Sequence, residues 1–114
     1  MALTWTSQDE SRLTAAMDDH PPESAKCEAL AEIVFDVAVP HDGMTRIETI
    51  EPNEGYYYLA ARDPRASDWA NHTLVQTRLH RVDALTGLEG SPAKDYLAAH
   101  FNYPDVLTVR RVKP

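Results

Sequence analysis

The sequence predicts an α+β domain, with N-terminal helices packed on a small antiparallel β-sheet. Three observations carry that reading. Apolar residues recur at helical spacing before Pro40, and Ser91-Pro92 gives a helix-start signal later in the chain. Between those stretches, and after Tyr103-Pro104, short runs rich in β-branched and aromatic residues are separated by turn residues. Grouped helices followed by a meander of strands bury their apolar faces most simply against an antiparallel sheet.

The elements follow in order. Ser7-Gln8-Asp9-Glu10 matches a capping box and opens a helix over about 8–18, with Leu13 and Met17 on one face. His20-Pro21-Pro22 ends it, because consecutive prolines cannot continue a helix. Glu23 and Ser24 offer start signals for a second helix. Its stripe is Cys27, Leu30, Ala31, Val34, Phe35 and Ala38, and Pro40 closes it. Cys27 falls in or just before its first turn. Strands are predicted over 45–50, 56–61, 72–77, 80–85 and 106–112. Glu51-Pro52-Asn53-Glu54-Gly55 forms a turn, and 63–71 a polar loop containing Trp69. In 56–61, Tyr56-Tyr57-Tyr58 reads as a half-buried strand. Ser91 followed by Pro92 predicts the start of a short helix over 93–101, on whose surface His100 is expected; His80 is expected to be exposed.

The chain has 114 residues, enough for one core, so residues 1–114 are read as a single domain. With 43% apolar and 25% charged residues it has the composition of a folded globular protein. The first residues lack the basic-then-apolar order of a signal peptide, and no apolar run is long enough to span a membrane. Net charge is −7, unevenly placed: residues 1–54 carry twelve acids and three bases, residues 55–114 six acids and eight bases. An acidic chain gains nothing from counterion release, which argues against nucleic acid and anionic membrane surfaces as partners. Cys27 is the single cysteine, which excludes an intramolecular disulfide. Together with His20, His41, His72, His80 and His100 it shows no zinc-ligand spacing, so no metal or other cofactor is expected.

Cys27 has two readings. A free cysteine at the head of an apolar stripe behaves as a small buried hydrophobe. A thiol at a helix N-terminus is also favoured as thiolate by the dipole, with Lys26 assisting and Glu28 opposing, and free N–H groups there can stabilise an oxyanion. The later chain supplies a base and an orienter in His72 and Asp83. A two-residue turn at Thr77-Arg78 puts them directly opposite each other. A four-residue loop keeps them on one face, one step diagonal, and an odd loop separates them. A carboxylate beside His72 would fix its tautomer. Trp69, three residues earlier, either shields the imidazole or anchors the loop.

His72 leading Thr-Leu-Val-Gln-Thr, then Arg81-Val82-Asp83-Ala84-Leu85-Thr86-Gly87, resembles the His segment and following strand of the papain-fold toxin domains of bacterial polymorphic toxin systems. Lys26-Cys27-Glu28-Ala29-Leu30-Ala31 resembles their nucleophile helix. The similarity covers about residues 20–101. It implies a papain-like fold with a Cys27–His72–Asp83 triad and a thiol hydrolase or acyltransferase activity of peptidase or Gln/Asn deamidase type. It also implies a protein substrate or target, a cognate immunity protein, and secretion within a larger effector or delivery into a target cell; otherwise the chain would be cytoplasmic. The Gln that usually precedes the nucleophile in papain-like peptidases is missing from His20–Ala25. The Cys27 N–H with Ser24 or a folded-back Gln8 would have to serve instead. The rival from another class is a non-catalytic α+β interaction module, such as an immunity or adaptor protein, which the acidic first half would suit.

Overall fold

The structure, a computed structural model, describes residues 4–24 and 26–113, without the side chains of Ser24 and Lys113. Three helices and five strands run in the order α1 (Ser7–Asp19), α2 (Cys27–Ala38), β1 (Arg46–Pro52), β2 (His72–Gln76), β3 (His80–Val82), β4 (Ser91–Pro92), α3 (Ala93–His100) and β5 (Leu107–Lys113). Single 3₁₀ turns lie at Pro22–Ser24, Pro64–Ala66 and Pro104–Val106. No helix among the described residues is long and apolar enough to cross a membrane.

The capping box of α1 sits one residue earlier than the sequence suggests. Thr6 Oγ1 accepts from Asp9 N at 3.0 Å and Asp9 Oδ2 accepts from Thr6 N at 3.2 Å. Leu13 and Ala16 are the residues α1 buries. The apolar stripe of α2 faces inward through Leu30, Ala31, Val34 and Ala38, joined by Val37.

The five strands form one antiparallel sheet in the order β4-β3-β2-β1-β5. Because side chains alternate along a strand, the sheet carries two cores. Ile47, Val75 and Val82 point to the face covered by α1 and α2, where Leu13, Leu30 and Val34 pack on them. Ile50 and Leu74 point to the opposite face, where Leu59, Tyr96 and Phe101 cover them. The second core comes from α3 and the loop before β2.

The strand expected at 56–61 does not form. Gly55 turns the chain with φ +94° and Ala60 takes φ +57°, which breaks extended geometry. Leu59 N donates to Trp69 O at 2.9 Å, and Ala61 makes a lone bridge to Phe101. Tyr56, Tyr57 and Tyr58 are exposed rather than half-buried, Tyr57 at 81%. Pro92 is also placed differently: with Ser91 it makes the two-residue β4, and it becomes the cap residue of α3 rather than its first helical residue.

Candidate active site

The site lies where the first turn of α2 meets the start of β2. Cys27 is the first residue of α2, placed there because the 3₁₀ turn at Pro22–Ser24 precedes it. Its N-cap residue, Lys26, makes no side-chain capping bond to the first turn. Cys27 is partly exposed, and Thr73 N donates to its Sγ at 3.4 Å.

His72 opens β2 and is 1% exposed. The hairpin pairs Val75 with Val82 and Gln76 with Arg81, with Thr77 N donating to His80 O at 2.8 Å. This is the register of the four-residue loop, not of the Thr77-Arg78 turn. Continued one step, it sets Asp83 opposite Leu74 and diagonal to His72 on the same face. His72 Nε2 and Asp83 Oδ2 are 2.7 Å apart. Because Asp83 is held ionised, Nε2 carries the hydrogen and donates. Nδ1 is buried and makes no hydrogen bond of ordinary geometry, yet it is the ring nitrogen left to interact with the Cys27 thiol.

Asp83 is held by its own turn. Oδ1 accepts from Leu85 N at 2.9 Å and from Thr86 N at 3.0 Å, while Asp83 N donates to Thr86 Oγ1 at 3.1 Å. Gly87 N closes the turn on Asp83 O at 3.0 Å with φ +68°. The run Asp83-Ala84-Leu85-Thr86-Gly87 is thus a side-chain-closed turn that aims Oδ2 at the imidazole. Tyr96, on α3 and fully buried, donates its hydroxyl to the same Oδ2. Gly87→Ala meets no neighbouring atom with its new Cβ, so its cost is conformational alone. Urea denaturation is expected to register a loss of about 1–2 kcal/mol. An unchanged midpoint would show that the turn tolerates another backbone shape.

Trp69 both shields and anchors. Its ring stacks on His72 with centroids 4.1 Å apart and planes 15° off parallel, and its Nε1 donates to Pro22 O at 3.1 Å. Behind these rings, the cavity bordered by Cys27, Trp69, His72 and Asp83 measures about 10 Å³, room for one water at most. Toward solvent, Cys27 borders a more open groove with Asp68, Trp69, Ala70 and Asn71.

The charges follow from these contacts. Burial opposes ionisation of Cys27, but the neighbouring His72 ring, the Thr73 N–H and the imidazolium charge outweigh it, and the thiol pKa falls; Glu28 opposes weakly. Burial also opposes a charged His72, yet the hydrogen bond to Asp83 and the neighbouring Cys27 thiol raise its pKa to about 9. Asp83 pays the same burial penalty and is still lowered, by His72, Tyr96 and the Thr86 N–H. Each of the three groups is thus shifted toward its charged form: Cys27 toward thiolate, His72 toward imidazolium and Asp83 toward carboxylate.

The structure thus brings together Cys27, His72 and Asp83. Gln8 is exposed in the first turn of α1 and is not among the residues lining the cavity or the groove. The Ser24 side chain lies outside the described residues. His80 is half-buried rather than exposed. His100 is half-buried as well, bonded to Ser91 Oγ at 2.9 Å. Tyr96 was not legible as a site residue: it reads as one apolar position of a short helix. Searches of protein-family profiles, curated proteins and solved structures each returned no match to this chain.

Proposed function

We propose that this domain is a small papain-like thiol hydrolase or acyltransferase, with Cys27 as nucleophile, His72 as base and acid, and Asp83 as orienter. The observation that carries this reading is the division of labour on one imidazole: Nε2 is committed to a buried carboxylate, and Nδ1 is left to a thiol of lowered pKa at a helix start. Cys27 Sγ attacks an amide carbonyl carbon, and the C=O π electrons move onto oxygen near the first N–H groups of α2. Collapse breaks the C–N bond, and His72 Nδ1–H protonates the departing amine. The thioester left behind is cleaved by water, or by an acceptor nucleophile, that gives its proton to Nδ1; the C–S bond breaks with its electrons on sulfur, which restores the Cys27 thiolate beside a protonated His72.

The papain-like assignment rests on the likeness of the Cys27 helix and the His72-to-Gly87 hairpin to bacterial polymorphic toxin domains. On that likeness the substrate is a protein target, cleaved at a peptide bond or a Gln or Asn side-chain amide. The setting is an exported effector held in check by an immunity protein. The open groove is lined by few residues, Cys27 and 68–71, which suits one dedicated target better than a range of peptides.

The test pairs wild type with Cys27→Ser. The exchange changes one atom, so the melting temperature is expected to stay within a few degrees. Growth inhibition on expression in bacteria is expected to vanish, because a hydroxyl is a far poorer nucleophile at this site. A folded Cys27→Ser protein that still inhibits growth would mark the domain as a binding module instead.

A further inference from the structure

We propose that Tyr96 is a positioning residue of the triad, setting through its hydroxyl how tightly the His72–Asp83 pair holds its proton; the inference rests on the thiol-hydrolase reading above. The geometry is specific. Asp83 Oδ1 is fully engaged by two N–H groups of its turn. Oδ2 serves two donors, His72 Nε2–H and Tyr96 O–H. Two donors on one oxygen divide its accepting power, so whatever Tyr96 takes is withheld from His72.

A packing role does not account for the hydroxyl. The Tyr96 ring fills the core formed with Ile50, Leu59, Leu74 and Phe101, and phenylalanine would fill it equally. A hydroxyl placed in that core costs desolvation unless it finds an acceptor, and the one it finds is the triad carboxylate. Burial and the Asp83 charge push the phenol pKa well above its ordinary value, so it remains a donor throughout the working range.

The other charged groups around Asp83 do not share this role. Cys27, on α2, interacts with the His72 ring and the Thr73 N–H. Arg81 on β3 lies with its guanidinium carbon 5.7 Å from the Tyr96 ring centroid, but its donors go to Glu48 and to Ala93 O. His100, on α3 with its ring centroid 4.8 Å from that of Tyr96, is committed to Ser91. Among the described residues, His72 and Tyr96 are the side chains that hydrogen-bond the carboxylate.

The direction of the effect is fixed by chemistry. Without the phenol, Oδ2 is a stronger acceptor for Nε2–H and a stronger base in its own right. The pair gains proton affinity whichever atom holds the proton. A pair that binds its proton more tightly is a poorer acid toward a leaving amine. Tyr96 is thus a brake on Asp83 that keeps His72 able to release as well as accept.

The experiment is an NMR titration of the His72 ring nitrogens in the full chain. Wild type is expected to titrate at about pH 9. Tyr96→Phe is expected to raise the midpoint by about one to two pH units, the equivalent of one hydrogen bond to a charged group. Replacing all tyrosines by 3-fluorotyrosine strengthens the phenol as a donor and is expected to lower it. Of the five tyrosines the other four are exposed, so the fluorinated protein reports on Tyr96. Opposite shifts support the proposal. A midpoint that stays or falls in Tyr96→Phe, or does not fall in the fluorinated protein, overturns it. Should Tyr96→Phe not fold, the fluorinated protein decides alone. Iodoacetamide labelling of wild-type Cys27 below pH 7 tests the underlying reading separately: an inert thiol would sink the hydrolase assignment, while the His72 midpoints would still judge Tyr96.

Discussion

Asp83→Asn is expected to lower turnover of an activated ester such as 4-nitrophenyl acetate by about 10²–10⁴-fold in a protein that stays folded. The reason lies in the turn. Oδ1 accepts two N–H groups, from Leu85 and Thr86, so the asparagine oxygen must take that position and the amide NH₂ must replace Oδ2. An NH₂ there can donate to Tyr96 Oη, which turns its hydroxyl to suit, but it opposes His72 Nε2–H. The imidazole escapes the clash by moving its proton to Nδ1, the nitrogen that should accept from the thiol. Cys27 then loses its base, and its alkylation profile should move back toward that of an ordinary thiol. The fold should survive because the turn keeps its bonds, with a loss of stability from the broken His72–Asp83 ion pair. Unaltered turnover in Asp83→Asn would mean that Asp83 only builds a turn.

His72→Ala is expected to cost about 3–5 kcal/mol near pH 6, because it strands an ionised carboxylate that is 2% exposed. It also removes the ring on which Trp69 stacks. Adding Asp83→Asn should recover part of the loss, since the double variant buries no unpaired charge. The pH dependence has a definite sign. In wild type the Asp83 pKa is depressed, so its contribution is present above about pH 3.9 and lost as pH falls through the folded value. The His72 pKa is raised, so its contribution is full below about pH 6.5 and lost as pH rises through about 9. Both describe one ion pair and count once. In His72→Ala, burial dominates Asp83 and raises its pKa, so the variant is least penalised in acid. The stability difference between wild type and variant should therefore be smallest near pH 3, largest between about pH 4 and 6.5, and shrinking again toward pH 9. Urea denaturation at these pH values measures it. A difference independent of pH would mean that His72 acts there as packing alone.

Local signals made the helices legible. Proline pairs stop α1, and the stripe from Cys27 to Ala38 has the helical period, so burial of Leu30, Ala31, Val34 and Ala38 followed from spacing. The start of α1 was legible to within a residue, because Thr6 and Ser7 can both cap and their energies differ little, whereas α2 begins at Cys27, past the Glu23 and Ser24 signals, because Pro22–Ser24 forms a 3₁₀ turn first. Tyr56–Ala61 misled because aromatic content signals a strand only where a neighbouring strand offers a ladder. Between β1 and β2 the chain turns through Gly55 and Ala60 instead.

The candidate site was legible where parity alone decides. Any even loop in the hairpin keeps His72 and Asp83 on one face, so their pairing needed only an even loop, which the observed register supplies. A cysteine at a helix start is likewise a local fact. Tyr96 was invisible because nothing in a pattern over residues 93–100 says that one apolar position carries its hydroxyl to a carboxylate thirteen residues earlier.

By itself, then, the chain determined its helices and the identity of Cys27, His72 and Asp83 as candidates, since each depends on near neighbours in sequence. The tertiary structure alone decided the second core, the stacking of Trp69, the shared oxygen of Asp83 and the direction in which each charge is shifted. Those depend on burial and on distances between elements far apart in sequence, and no local period encodes either.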